Sequence, residues 1–582
     1  MSQGEIMYNY ANMKPGKSNI LEIFNGYRVF IIPFYQRSYV WGEKEWERML
    51  SDMVTVSHHT KDYFMGAIIL KQTSTSTSTM GDYKVVIDGQ QRLTTLAIFE
   101  KVLAMKTGDE KIFDRRFILP DGSLSIIHSH VDREDFQRVM ALESCSEPLE
   151  GNGNIIKAYN FFREKLDPDN LDANRLKQKV QVIDIVIDEN DDEQQIFDTI
   201  NSLGVDLTTA ELLKNHLFTE QTIDKYETLW KPAFESDEEC IAFWAQDLLK
   251  GRNKRKNIEA FLNAFLQIKV HESSIKISTE DKLEYAKSGA LFYSYKDFIE
   301  KYYKEREFEL VEELVHYAKI YRNTFSPSVV NESLTHEPCI DRINFLIFAT
   351  DNTTMIPYIM FVIKNVGEEA ERNKIYDYLE SYIVRRLICK KSTNSYSDLF
   401  SENLINADIK TAEALKAYFD DKDVTNALAM PSDADVVRCA TEYEHPNYRA
   451  LSILYLLESR LHNNPMHTMQ LLKYSAYTLE HLMPQKWWQN WPLPEGGSQE
   501  DRNKLVKTLG NCTMITQSLN SAISNDQWSV KLEGKNNRGG LKAYASGLLT
   551  LDDVLTQEEW NEGKIMERSK KLGEIACGIW KL

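Results

Sequence analysis

At 582 residues the chain is too long for one hydrophobic core, so about two to four domains are expected. Its 42% hydrophobic content includes no low-charge apolar run near the ~18 residues a membrane helix needs, and the opening MSQGEIMYNYANMKPGKSN lacks a basic-then-apolar leader, so a cytoplasmic protein is expected. Seven scattered cysteines without a C-x-x-C pair indicate neither a disulfide framework nor a zinc ribbon, and a formal charge of −18 argues against indiscriminate coating of nucleic acid while leaving a local DNA site open.

The first 220 residues read as mixed α/β. YRVFIIPFYQRSYVW predicts a strand ending at Pro33, and WGEKEWERMLSDMV a helix with Trp41, Trp46, Met49 and Met53 on its apolar side. YFMGAIIL and YKVVID are β-rich runs joined by the low-complexity loop TSTSTST at 73–79, which predicts a hairpin. KVQVIDIVID (179–188) predicts another strand, and DEQQIFDTINSLGVDLTTAELLKNHLF a helix, a turn and a second helix capped at Thr208 or Thr209, with Glu211 following. Residues 221–428 are long, amphipathic and helical throughout, and residues 429–582 change character again after ALAMPSDAD. The expected class is α+β multidomain, with an all-helical middle open to three roles: lever, DNA clamp or homodimer surface. Two basic clusters, KGRNKRK at 250–256 and Arg385-Arg386 with Lys390-Lys391, read either as solvated helix ends or as DNA contacts.

In VIDGQQRLTTLAIF (86–99) an apolar run meets an Asp-Gly turn, two amides and an arginine where a helix begins. A helix N-terminus offers unpaired N–H groups and the positive end of its dipole, so it favours phosphate. Arg92 would add a forked cationic ligand, Asp88 a carboxylate for a divalent ion, and Gln90 and Gln91 amides for water or a base edge. No Walker loop occurs anywhere in the chain. Tyr35, Gln36 and Arg37 repeat the pattern after the first strand, so two strand ends would converge on one anion.

Near the C-terminus, Glu480-His481 closes an apolar stretch, and Asn511, Asn520 and Lys531 follow. An acid, a histidine and spaced asparagines have the logic of a ββα-metal (HNH, His-Me finger) nuclease. His481 would be the general base, Glu480 and Asn520 oxygen ligands to Mg²⁺ or Mn²⁺, and Asn511 a brace for the hairpin loop that orients the histidine. Asn525 is a second candidate ligand. Cys512 stands alone, so no structural zinc is expected. Trp487, Trp488 and Trp491 read as packing more than as base-stacking groups.

The series I-P-x-Y-Q-R-x-Y-x-W (32–41), Y-F-x-G-x-I-x-L (63–70), V-I-D-G-Q-Q-R-L-T-T-L (86–96) and I-N-S-x-G-x-x-L-T-x-x-E-L-L-K-N (200–215) resembles the N-terminal domain of the GmrSD-type, modification-dependent (type IV) restriction endonucleases. E-H-L-x-P-Q, L-G-N-C-T-M-I and L-N-S-x-I-S-N are similar to the same family's C-terminal HNH-type domain. The resemblance implies a ParB/sulfiredoxin-like nucleotidase domain with Asp88, Gly89, Gln90, Gln91 and Arg92 at the NTP site, joined by Tyr35, Gln36 and Arg37. Asn201 and Lys214 match the fourth motif. It implies a bacterial enzyme that cuts modified double-stranded phage DNA, with His481, Asn511, Asn520 and Lys531 in the nuclease site. Two rival readings are a nucleotide-switched DNA-binding regulator with an inactive nuclease fold, and an abortive-infection DNase without modification specificity.

Overall fold

The computed structural model describes residues 14–33, 36, 38–59, 61–72, 81–187, 208–248, 255–286, 290–421, 427–462, 471–535, 538–545 and 547–582. Tyr35, Arg37, Asn201, Arg252 and Lys254 lie outside them, as does the TSTSTST loop. The chain divides into two compact units, Met1–Asp224 and Lys225–Leu582.

The first unit is built on a six-stranded mixed sheet. Its strands are β1 (Lys14–Asn19), β2 (Arg28–Ile31), β3 (Tyr63–Gln72), β4 (Asp82–Asp88), β5 (Ile126–Ile127) and β6 (Val180–Ile187), in the order β1-β6-β3-β4-β2-β5. β3 and β4 are antiparallel neighbours, as the two β-rich runs predict. β4, β2 and β5 run parallel, so three successive strand ends open on one sheet edge. The short helix α1 (Ile20–Ile23) follows β1, and helices α2 (Glu43–His58) and α3 (Gln90–Thr107) cover the sheet. Trp46, Met49 and Met53 of α2 and Leu93, Leu96, Ile98, Phe99 and Val102 of α3 sink into one core with Ile68, Leu70 and Val86 of the strands. α3 is buried around its first four turns, which explains why its sequence shows no clean polar face. The helix Thr209–Leu217 carries the expected cap: Thr208 accepts from the Glu211 N–H while the Glu211 carboxylate accepts from Thr208.

In the second unit no strand lies between Lys225 and Ala476 among the described residues. Its helices converge on Glu380, fully buried in the helix Glu369–Ile388. Arg342 donates to it through Nε at 2.7 Å and Nη2 at 2.6 Å, Arg460 through Nη2 at 2.7 Å, and the Trp580 indole at 2.9 Å. Two guanidinium groups overcome the cost of burial and hold the Glu380 carboxyl down to about 2.

The Arg385-Arg386 half of the second basic cluster is neither a solvated helix end nor a DNA contact. Both side chains are buried. Arg385 donates to the Pro431 and Trp580 carbonyls and pairs with Asp433, while Arg386 donates to the Ala427, Ala429 and Ser392 carbonyls and to the Tyr396 hydroxyl. A guanidinium carries five donors, enough to close several unpaired loop carbonyls at once, and that need put it inside. Among the described residues no helix is long and apolar enough to cross a membrane.

Candidate nucleotide and nuclease sites

In the first unit, Asp88 ends β4 and Gly89 turns the chain into α3 at φ +102°. Only glycine serves there: a Cβ would lie 2.6 Å from Ile68 Cγ2, in a backbone region side chains rarely adopt. Arg92, one turn into α3, reaches back over β3. Its Nη1 donates to the Ala67 carbonyl at 2.6 Å and lies 3.3 Å from Asp88. β3 makes room through Gly66, at φ +120°, where a Cβ would come within 3.1 Å of Arg92 Nε. The glycine of Y-F-x-G-x-I-x-L is thus the seat of the arginine of D-G-Q-Q-R.

The glutamines divide by task. Gln36 donates to the Val86 carbonyl at 2.5 Å and the Ile87 carbonyl at 2.9 Å, tying the loop after β2 to the last residues of β4. Gln91 accepts from the Val40 and Trp41 N–H groups and donates to the Ser38 carbonyl. Both amides are spent on the protein's own backbone. Gln90 is different: it is buried, and among the described residues its Nε2 has no partner. A buried donor without an acceptor at a helix N-terminus is chemically matched to an anion.

His128 and Ser129, which no motif marks, follow β5 on the same sheet edge. His128 lies 3.0 Å from the Thr94 hydroxyl of α3. Burial and the nearby Arg133 push its imidazole down to about 3, so it stays neutral. Among the described residues its Nδ1 and the Ser129 hydroxyl lack partners. Lys214 is buried in its helix.

In the second unit, Tyr477–His481 forms β7 and Cys512–Thr516 forms β8, antiparallel, with His481 opposite Cys512 and Glu480 opposite Thr513. The helix Gln517–Ile523 follows directly, and Asn520 on it donates to the Thr478 hydroxyl at 3.2 Å and the Leu479 carbonyl at 3.4 Å. Asn520 is therefore brought against the strand carrying Glu480 and His481. Asn525 is exposed and is not so placed; its carbonyl accepts from Asn490.

Asn511 is fully buried and locks the turn after β7. It accepts from the Met483 N–H and the Trp560 indole, and donates to the Met483 and Val506 carbonyls, all within 3.1 Å. Its contacts are with backbone and Trp560, not with His481. Gln485 sets its amide 3.1 Å from His481 Nε2. Burial, with help from Lys531 and Lys507, pushes the His481 imidazole down to about 4. The ring is neutral at ordinary pH, with the Gln485 amide donating to its Nε2.

Glu480 is buried, and desolvation raises its carboxyl against the pull of Lys531. The Lys531 ammonium, itself buried, pairs with Glu480 and donates to the His481 carbonyl at 2.8 Å. Among the described residues no three His, Cys, Asp or Glu side chains converge. The donor set is one carboxylate and one amide, hard oxygen ligands that fit Mg²⁺ or Mn²⁺ with water completing the shell. Burial lifts the Cys512 thiol to about 12, which makes it a poor metal ligand. Of the three tryptophans, Trp487 and Trp491 pack and donate to Asn503 and the Asp526 carbonyl, whereas Trp488 stays exposed.

The N-terminal domain of the GmrSD restriction endonucleases matches residues 20–218, and the C-terminal domain of the same enzymes matches residues 431–575. No curated protein matches the chain. Both matched domains stand in their expected order and take in both candidate sites, so the chain belongs to the GmrSD restriction endonuclease family.

Proposed function

We propose that the chain is a type IV restriction enzyme in which a nucleotide-hydrolysing N-terminal domain of ParB/sulfiredoxin-like fold licenses an HNH-type nuclease to cut modified double-stranded DNA. The observation that carries the nuclease half is the β7–β8 hairpin with its following helix, which sets Glu480, His481 and Asn520 on one strand and its neighbour. The nucleotide half rests on the unpartnered Gln90 amide and the first N–H groups of α3, flanked by Asp88 and Arg92.

His481 would take a proton from the attacking water, which its neutral ring at pH 7 permits. Mg²⁺ or Mn²⁺, held by Glu480 and Asn520, would stabilise charge on the scissile phosphate and leaving oxygen. Lys531 holds the Glu480 carboxylate in place. Asn511 holds the turn that fixes where β7 ends.

His481→Ala tests the nuclease half. DNA cutting should fall by about 10²–10⁴-fold while NTP turnover stays near wild type. Unchanged cutting by the folded variant would sink the assignment. A panel of glucosylated, phosphorothioated and plain DNAs, each with and without NTP, tests modification dependence. Equal cutting of all of them would favour an unspecific DNase.

A further inference from the structure

Ile31 of β2 stands level with Val85 of β4 on one side and Ile127 of β5 on the other, so the chain leaves all three strands at one edge. Gly89 leads from β4 into α3, and His128 and Ser129 lead from β5 into the helix His130–Met140. Direct contacts join the two helix starts. His128 Nε2 lies 3.0 Å from the Thr94 hydroxyl of α3, the Asp132 carboxylate accepts from the Tyr39 N–H at 2.7 Å, and the Tyr39 hydroxyl lies 2.7 Å from that of Thr95. Gln90 stands one turn before Thr94 on the same face of α3. Arg92 is directed elsewhere, to the Ala67 carbonyl of β3.

The face that carries Gln90, Thr94, His128 and Ser129 is made of neutral polar groups with too few partners. His128 and Ser129 are each 1% exposed, and Thr94 is fully buried. Ser129 holds the N-cap position, yet its hydroxyl caps nothing; among the described residues that hydroxyl, His128 Nδ1 and Gln90 Nε2 bond to no group. Polar groups kept from water without partners cost stability, and a ligand that bonds them removes the cost. A phosphate calls for a cation or an unopposed helix dipole, which Arg92 and the first N–H groups of α3 supply. The second helix start carries the Asp132 carboxylate in its first turn, which opposes an anion there, and Arg133 is turned to the His128 carbonyl, donating through Nε at 3.1 Å. We propose that His128 and Ser129 bind the uncharged nucleoside half of the NTP, through its ribose hydroxyls or its base edge, with Gln90 at the junction to the phosphates. The assignment rests on the nucleotide reading of the first unit and adds the residues that hold the half of the ligand no motif addresses.

The test is equilibrium titration of the full chain with ATP, CTP, GTP and UTP, and with inorganic tripolyphosphate, which has the phosphates without the nucleoside. Ser129→Ala and His128→Gln, the latter keeping a polar group where Nε2 meets Thr94, should each weaken the tightest-bound NTP by about 3- to 10-fold, the loss of one hydrogen bond. Both should leave tripolyphosphate binding unchanged, whereas Arg92→Ala should weaken NTP and tripolyphosphate alike. Ser129→Ala removes a single oxygen and keeps the test open if His128→Gln folds poorly. A 2′,3′-dideoxy form of the same nucleotide separates the two contacts: if it binds wild type as weakly as the NTP binds the variants, the pair holds the ribose, and if it binds as tightly as the NTP, the pair holds the base edge. Wild-type NTP affinity in both variants, or equal weakening of NTP and tripolyphosphate, would overturn the assignment. A wild-type chain that binds no NTP would instead overturn the nucleotide reading.

Discussion

Arg92 shows how one side chain serves both fold and chemistry. Its guanidinium is held over the bulge at Gly66 by the Ala67 carbonyl and faces Asp88, leaving donors of the fork for a ligand. Arg92→Ala should therefore weaken NTP binding by about 1.5–3 kcal/mol, or roughly 10- to 150-fold. Asp88→Asn should spare binding more than turnover. Nucleotide titration and turnover on both purified variants check this, and wild-type behaviour in both would reduce the motif to a turn. Little of this division of labour is legible in the sequence. Gln36, Gln90 and Gln91 are alike on paper. Only the backbone groups around them decide that two are fasteners and one is left open.

At the scale of elements, the second unit is tied by long-range hydrogen bonds to single residues. Glu380 joins the helices Ile340–Ala349, Glu369–Ile388 and Asn447–Leu461 to Trp580, which follows the last helix, Glu562–Ile579. Glu380→Gln leaves two arginines without their buried counter-charge, a loss on the order of 3–5 kcal/mol. Chemical denaturation of the variant should show the lower stability directly; a midpoint equal to wild type would mean the helices do not depend on the pair. The last helix also reaches the candidate nuclease site. Arg568 on it donates to the Gly510 and Cys512 carbonyls, on either side of Asn511. The amphipathic helices themselves are readable from their spacing. Their convergence on one glutamate is not, because an acid in a helix normally marks the solvent face.

For the whole molecule, buried histidines add to the loss of stability in acid. Desolvation brings His128 and His445 down to about 3 and His271 to about 4, against an ordinary 6.5. The unfolded chain takes up protons below pH 6.5 that the folded chain refuses. Stability from these groups is complete above 6.5 and is lost as the pH falls toward 3–4. Denaturation midpoints should drop steadily from pH 7 to pH 5, and His445→Leu should make that drop shallower. Midpoints that do not move across this range would show that the rings are already protonated in the fold.

Local pattern alone determined the β-rich runs at 63–70 and 83–88, the helix after Trp41, the cap at Thr208 and the helical stretch from 221 on. Each of these depends on neighbours a few residues apart. β1 has no such signature because KPGKSN lacks apolar alternation; it is a strand only because β6 offers it an edge. His128 and Ser129 are hidden for a similar reason, since β5 is two residues long and gains its place beside β2 from pairing. The tertiary structure also split the run from Arg385 to Lys391 into a buried structural half and an exposed open half. Sequence shows that charge is present, but burial and the carbonyls within reach decide whether it holds the protein together or faces solvent.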